Sequence, residues 1–142
     1  MRDYNIYLSG SMSNITWEEQ SKWRHQIINA IKFGDYDYDK KVTFFNPTQY
    51  FNFEEKRYES ELEVMNFDLN ALRKSDLIIV NFNNPNSIGT AMELMLGYEM
   101  RIPILGLNIE RKELHPWLGC CCDRIFNDMR KLVDYVVDFY LN

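Results

Sequence analysis

The chain has 142 residues, 46% of them apolar and 15% aromatic, and a formal net charge of −5. That composition describes one packed domain, able to bury about two-thirds of its unfolded surface, and excludes a disordered chain. The charge argues against a protein that tracks a phosphate backbone, which shows a clustered basic footprint, but it leaves room for a single nucleotide in a pocket.

No apolar run reaches the roughly 18 residues that span a bilayer. The N-terminus enters a strand pattern directly, without a signal-peptide core. A cytoplasmic protein is expected, with neither a membrane nor a nucleic-acid polymer as partner. The three cysteines are consecutive, Cys120, Cys121 and Cys122. One contiguous cluster cannot staple distant parts of a chain, and metal sites space their ligands, so reduced, partly buried thiols and no metal are expected.

In chain order, residues 5–8 (NIYL) form a first, central strand that runs into a small polar turn, Ser9 to Ser13. Thr16 and Glu19 have the spacing of a capping box and open a helix with Trp23, Ile27, Ile28 and Ile31 on one face. Gly34 ends it. Residues 42–45 (VTFF) are the second strand, closed by Asn46-Pro47. The segment 48–60 carries Tyr50, Phe51, Phe53 and Tyr58 among charges. Two readings stand for it: a cover for a planar ligand or a neighbouring subunit, or a hydrophobic patch folded onto the domain. A helix over 61–74 sets Leu62, Met65, Leu69 and Leu72 on one stripe bordered by Asp68.

The stretch 75–107 organises the rest. Leu77 to Val80 reads as a strand buried on both faces, Asn83 to Ser87 as a polar turn, Gly89 onward as a helix, and Ile104 to Leu107 as another strand. His115-Pro116-Trp117 reads as a loop and 124–126 as a short last strand. Asn127 is a candidate cap for a terminal helix with Met129, Leu132, Val133, Val136, Val137 and Tyr140 on one face. The expected fold is α/β: a single-domain, three-layer, Rossmann-like arrangement over 1–142 with a parallel sheet of about five strands. Neither a G-x-G-x-x-G fingerprint nor a Walker A loop is present, which removes support for nicotinamide chemistry and NTP hydrolysis.

In open parallel sheets the ligand crevice lies beyond the carboxyl ends of the strands. The turn at 83–89 and the first turn of the following helix fall there, and with them Glu93, a carboxylate among apolar neighbours. On periodicity alone, Glu93 also reads as a surface residue favoured by the helix dipole, Asp68 as a solvated helix residue and Tyr7 as a core aromatic. Asp76 reads as a structural cap, and neither His25 nor His115 is assigned a catalytic task.

Three segments, IYLSGSMS at 6–13, FDLNALRKSDLIIVNF at 67–82 and NSIGTAMELMLGYEMRIPIL at 86–105, resemble the nucleoside 2-deoxyribosyltransferase family. The resemblance covers essentially the whole domain in the same order, and the G-T-A-x-E segment with Pro103 beyond it is its most specific part. It implies cleavage of the N-glycosidic bond of 2′-deoxynucleosides and transfer of the deoxyribosyl group to another base, without a cofactor, in nucleotide salvage. Related members hydrolyse deoxynucleoside 5′-monophosphates to free base and deoxyribose 5-phosphate. Glu93 matches the family nucleophile, Tyr7 the tyrosine that orients it, and Asp68 an aspartate near sugar and leaving base, a candidate general acid. Gly10, Ser11 and Gly89 match positions where backbone passes close to the ligand.

Ser87 stands where many of the transferases have an aspartate that touches the base, and where the monophosphate hydrolases have a phosphate-binding serine. Against hydrolysis, no arginine lies at 12–16, and Arg24 is about two turns into its helix, too far along by sequence. The resemblance further implies a homo-oligomer whose pockets are completed by a neighbour's 119–128 segment, with Asp123 and Arg124 the nearest polar candidates. A catalytically silent nucleotide-binding or sensor domain in the same crevice is the alternative from another class.

Overall fold

The computed structural model describes residues 2–12, 15–49 and 58–142. Ser13 and the aromatic residues Tyr50, Phe51 and Phe53 lie outside them, and with them the two readings of that segment.

Five strands form one parallel sheet: β1 (Tyr4–Gly10), β2 (Val42–Phe45), β3 (Leu77–Asn81), β4 (Ile104–Leu107) and β5 (Arg124–Phe126). Their order across the sheet is β2-β1-β3-β4-β5. Alternation along β1 feeds two cores. Ile6 and Leu8 pack with Trp23, Ile27 and Ile31 of α1 (Trp17–Phe33) and with Leu132, Val133 and Val136 of the terminal helix. Tyr7 points the other way, into a second core with Leu72, Ile78, Val80 and Leu94. Helices on both faces make the three layers. β3 is buried along its whole length, as a strand covered on both sides must be.

α2 (Glu61–Arg73) begins at a full capping box in which Ser60 and Glu63 exchange bonds. Its buried residues are Val64 and Leu72. The expected Leu62–Met65–Leu69–Leu72 stripe therefore does not enter the core as a unit: Leu62 is 61% and Met65 41% exposed. The periodicity was real, but most of that face looks onto a cleft.

α3 (Ile88–Glu99) crosses the sheet closely at Gly97, where an added Cβ would lie 2.4 Å from the Ile78 Cδ1. The loop expected at 115–117 is in fact the start of a short helix, α4 (Pro116–Cys121), with Pro116 in its first turn and the His115 Nδ1 accepting the Trp117 amide at 3.1 Å. Cys120 and Cys121 ride on it. The last helix, α5 (Met129–Tyr135), continues as a π-helical turn over Val136–Leu141. Asp128, not Asn127, caps it; Asn127 instead donates to the Asn108 carbonyl at 2.8 Å. Among the described residues, no helix is long and apolar enough to cross a membrane.

The two ends of the sheet differ in character. At the amino end, Arg2 makes a two-pronged ion pair with Asp76, which also accepts the Asn5 amide at 2.8 Å. Asp76 is thus structural, but as a tie to β1 and not as a cap, since Lys74 is the C-cap of α2. The carboxyl end opens into a cleft.

Candidate active site

A strand order of 2-1-3-4-5 reverses direction between β1 and β3, and crevices form where that happens. Here the cleft, about 610 Å³, is lined from β1 and its turn by Gly10, Ser11 and Met12, from α1 by Arg24, and from α2 by Leu62, Met65, Asp68 and Leu69. The β3–α3 connection adds Asn84, Ser87, Gly89, Met92 and Glu93.

Glu93 sits one turn inside α3 with its carboxylate enclosed at the cleft floor. The Tyr7 hydroxyl donates to Oε2, and the Ser9 hydroxyl donates to Oε1 at 2.9 Å. Tyr7 and Ser9 are two apart on β1 and so emerge on the same face of the sheet. Burial pushes the Glu93 carboxyl above its ordinary range, while Tyr7, Ser9 and Arg24 pull it back. Burial, with Glu93 beside it, pushes the Tyr7 phenol well above its usual value. Tyr7 is therefore a fixed donor, further steadied by stacking on Phe45 with ring centres 5.2 Å apart.

Asp68 reaches the same floor from α2. One carboxyl oxygen, Oδ1, is buried with no hydrogen-bond partner. Burial, then the nearby Glu93 charge, push this carboxyl up to about 7, against the opposing pull of Arg24. A carboxyl that changes protonation near neutrality, with an oxygen free to bond, is suited to proton transfer.

The rim is tied together by short polar bonds. Asn84 donates to the Ser11 hydroxyl at 3.3 Å, joining the two turns that flank the cleft. Gln20 holds the β1–α1 turn by donating to the Met12 and Ile15 carbonyls. Ser87 caps α3, its oxygen accepting from the Thr90 amide at 3.3 Å and the Thr90 hydroxyl at 3.0 Å. Apart from its own helix and chain neighbours, none of the described residues comes within 4 Å of where a Gly89 Cβ would be, so that backbone faces open space. At Gly10 the reverse holds: a Cβ would press to 2.9 Å of the Trp23 ring and 3.4 Å of Arg24.

The structure thus brings together Tyr7, Gly10, Ser11, Asp68, Ser87, Gly89 and Glu93 in one chain. It does not bring Asp123 or Arg124 to that chain's own cleft. The Asp123 carboxylate accepts the Ile104 amide at 2.8 Å at the amino end of the sheet, and Arg124 lies over the Phe126 and Tyr135 rings. Sequence reasoning left two residues out of the site. Ser9, by sequence one more hydroxyl of the polar turn, lies on β1, and its bond to Glu93 was recoverable from the period of two along a strand. Arg24, set aside as too distant, is 0% exposed and reaches the cleft from beneath, on the same helical face as Ile27 and Ile31.

A parallel α/β domain with two carboxyls at the switch point, Glu93 held by two hydroxyls and Asp68 with a buried, unbonded oxygen, is suited to chemistry on a small ligand. The sequence model described as nucleoside 2-deoxyribosyltransferase like matches residues 3–109, and the chain belongs to that family. Among solved structures, it is similar to a 2-deoxyribosyltransferase from Bacillus psychrosaccharolyticus, at 21% identity and a TM-score of 0.73 over 95% of this chain and 93% of that one. A 2-deoxyribosyltransferase from Leishmania mexicana is similar at 17% identity and a TM-score of 0.64, over 97% and 99%. A CMP N-glycosidase from Clostridium botulinum is similar at 18% and 0.55, over 93% and 97%. No curated protein matches. These likenesses establish the shared fold.

Proposed function

We propose that this protein cleaves the N-glycosidic bond of 2′-deoxynucleosides and transfers the deoxyribosyl group to another nucleobase. The observation that carries the reading is the Glu93 carboxylate, gripped at both oxygens by Tyr7 and Ser9, beside an Asp68 carboxyl poised near neutrality. In the first step a Glu93 oxygen bonds to C1′ as the C1′–N bond breaks and its electron pair leaves with the base. Protonated Asp68 supplies the proton to the departing base nitrogen. The incoming base then attacks C1′ on the face vacated by the first, Glu93 leaves as carboxylate, and Asp68 takes back a proton. Both halves use the same two side chains. The side chains of Leu62, Met65 and Met92 offer an apolar wall for a flat base.

The charge balance favours a neutral nucleoside over a phosphorylated one. Among the described lining residues, Glu61, Asp68 and Glu93 are acidic, and the one cation, Arg24, is fully buried and bonded to backbone carbonyls. The second reading, hydrolysis of deoxynucleoside 5′-monophosphates, draws its support from the neutral Ser87 at the start of α3, a helix N-terminus that lines the cleft.

One chromatographic assay separates the readings. Deoxyinosine with free adenine is expected to yield deoxyadenosine. Free base released only from deoxynucleoside 5′-monophosphates would replace transfer by hydrolysis. Silence in both arms with nucleotide binding intact would leave a sensor.

The family likeness and the exposed apolar side chains of α3, Ile88, Met92 and Met95, also support pairing of identical chains, with Asp123 and Arg124 of one approaching the cleft of the next. Sedimentation is expected to give a dimer or larger particle, and mixed Glu93→Ala and Arg124→Ala chains should recover activity that neither has alone. A fully active monomer would discard the shared pocket.

A further inference from the structure

We propose that Arg24 is a positioning residue of the reaction, a buried counter-charge that both fixes the end of β1 and holds the Glu93–Asp68 pair in its working protonation. This rests on the glycosyl-transfer reading for its chemistry, though not for its electrostatics.

The geometry begins with an accounting of the backbone. β1 continues through Leu8, Ser9 and Gly10 beyond its last pairing with β2, Tyr7 opposite Phe45. The carbonyls of Leu8 and Gly10, two apart, point to the same side and lose their sheet partner there. Buried carbonyls left unpaired are costly. The guanidinium of Arg24 takes both: Nε donates to Leu8 at 3.2 Å and Nη2 to Gly10 at 3.3 Å, while Nη1 donates to the Gln20 carbonyl at 2.7 Å. Its plane also stands over the Trp23 ring, 4.6 Å from the centroid. A lysine could not span these acceptors with one planar fork. Arg24 is therefore locked by three carbonyls, two from β1 and one from its own helix, and among the described residues no carboxylate is in direct contact with it.

That arrangement is unusual for a buried cation, which normally has an ion-pair partner. Its counter-charges are instead the groups of the cleft. Three titratable side chains face it among the described residues: Tyr7 from β1, Asp68 from α2 and Glu93 from α3. Its own helix presents only Gln20 and Trp23. Burial lowers Arg24 to about 10, so it remains charged at any working pH, and each of the three facing groups favours that charge. In return Arg24 draws both carboxyls down against the pull of burial.

The consequence is a division of labour. Two carboxyls in one apolar floor tend to be protonated together, which would silence the nucleophile. A single fixed positive charge lets one of them ionise. Tyr7 and Ser9, which donate only to Glu93, decide which one it is. Asp68 keeps the proton. Arg24 thus tunes the pair without touching substrate.

The test uses the whole chain with Arg24→Gln and Arg24→Lys. Side-chain carboxyl carbons are followed by NMR across pH, beside the pH profile of kcat and KM for base exchange. For Arg24→Gln, the Asp68 midpoint is expected to rise by about one unit or more. The alkaline limb of the rate profile should move with it, with kcat falling about tenfold or more and KM changing little. Arg24→Lys should return the midpoint most of the way while leaving the β1 end less well ordered. Unmoved carboxyl midpoints in a folded Arg24→Gln chain would overturn the proposal. If Arg24→Gln does not fold, the guanidinium nitrogens of the native chain serve. Their resonances should shift with a midpoint matching that of Asp68, and invariance between pH 5.5 and 8.5 would overturn it. A native chain that exchanges no base but shows these couplings would refute the transfer reading and leave the electrostatic role standing.

Discussion

Glu93→Ala is expected to abolish base exchange, with a loss in kcat/KM of about 10⁴-fold or more, as removal of a covalent nucleophile does. The fold should survive. Glu93 reaches the floor from a helix whose anchors, Leu94 and Gly97, are untouched. What the substitution leaves behind is two donors, the Tyr7 and Ser9 hydroxyls, without their acceptor. Each such group costs about 1–3 kcal/mol when dry, less if water fills the space the side chain vacates. Glu93→Gln is the sharper variant: it keeps the volume and one acceptor oxygen, yet an amide cannot form the deoxyribosyl ester. A transfer rate within tenfold of native in Glu93→Gln, with native circular dichroism, would remove Glu93 from the mechanism.

Asp68→Asn is expected to do two things at once: slow base release by roughly 10²- to 10⁴-fold, the usual range for a general acid, and stabilise the protein at alkaline pH. The sign of the second effect follows from the direction of the shift. The Asp68 carboxyl titrates at about 7 in the fold against an ordinary 3.8. Between those values the native state holds the proton and the unfolded chain does not, so native stability falls as pH rises through that window. Above pH 7 the full penalty of a charged, poorly partnered carboxylate is present. Three units would amount to about 4 kcal/mol, and partial exposure to the cleft reduces this to about 1–3 kcal/mol. Asparagine removes the penalty. Thermal melts should therefore show Asp68→Asn well above native at pH 8 and level with it near pH 4. Equal melting points at pH 8 would mean that Asp68 is not a strained acid. A variant that gains stability while losing turnover is the mark of a residue kept for function.

The sheet was readable from sequence because its strands are short, apolar and β-branched, and burial on both faces leaves no other use for such runs. Glu93 and Tyr7 followed from the rule that places crevices beyond the carboxyl ends of strands, joined to the resemblance. Three features escaped for physical reasons. α4 is six residues long, too short for a period to show, and its only signals were His115 and Pro116 at its start. The stripe on α2 was read correctly as a face, but periodicity says only that residues share a side, not whether that side meets a core or a cleft. Arg24 escaped because arginine is so rarely dry that its place in line with Ile27 and Ile31 counted for less than its charge. Distance along the helix was the wrong measure. A long side chain on a helix packed against β1 reaches the end of that strand from below.

β1 is buried on both faces, yet one of its two neighbours, β3, arrives late: Asn5 and Asp76 are bonded across 71 residues of chain, and Tyr7 and Glu93 across 86. Closing so long a loop carries an entropy cost that only the finished sheet offsets, which makes folding of such topologies slow. During synthesis the first strand must therefore wait, with one of its two edges unpaired, until Asn81 has left the ribosome and β3 can pair with it. The nucleophile is made later still. The centre of the sheet and the floor of the cleft are joined by the same long-range contacts, so neither can be complete in a nascent chain that has not yet reached α3.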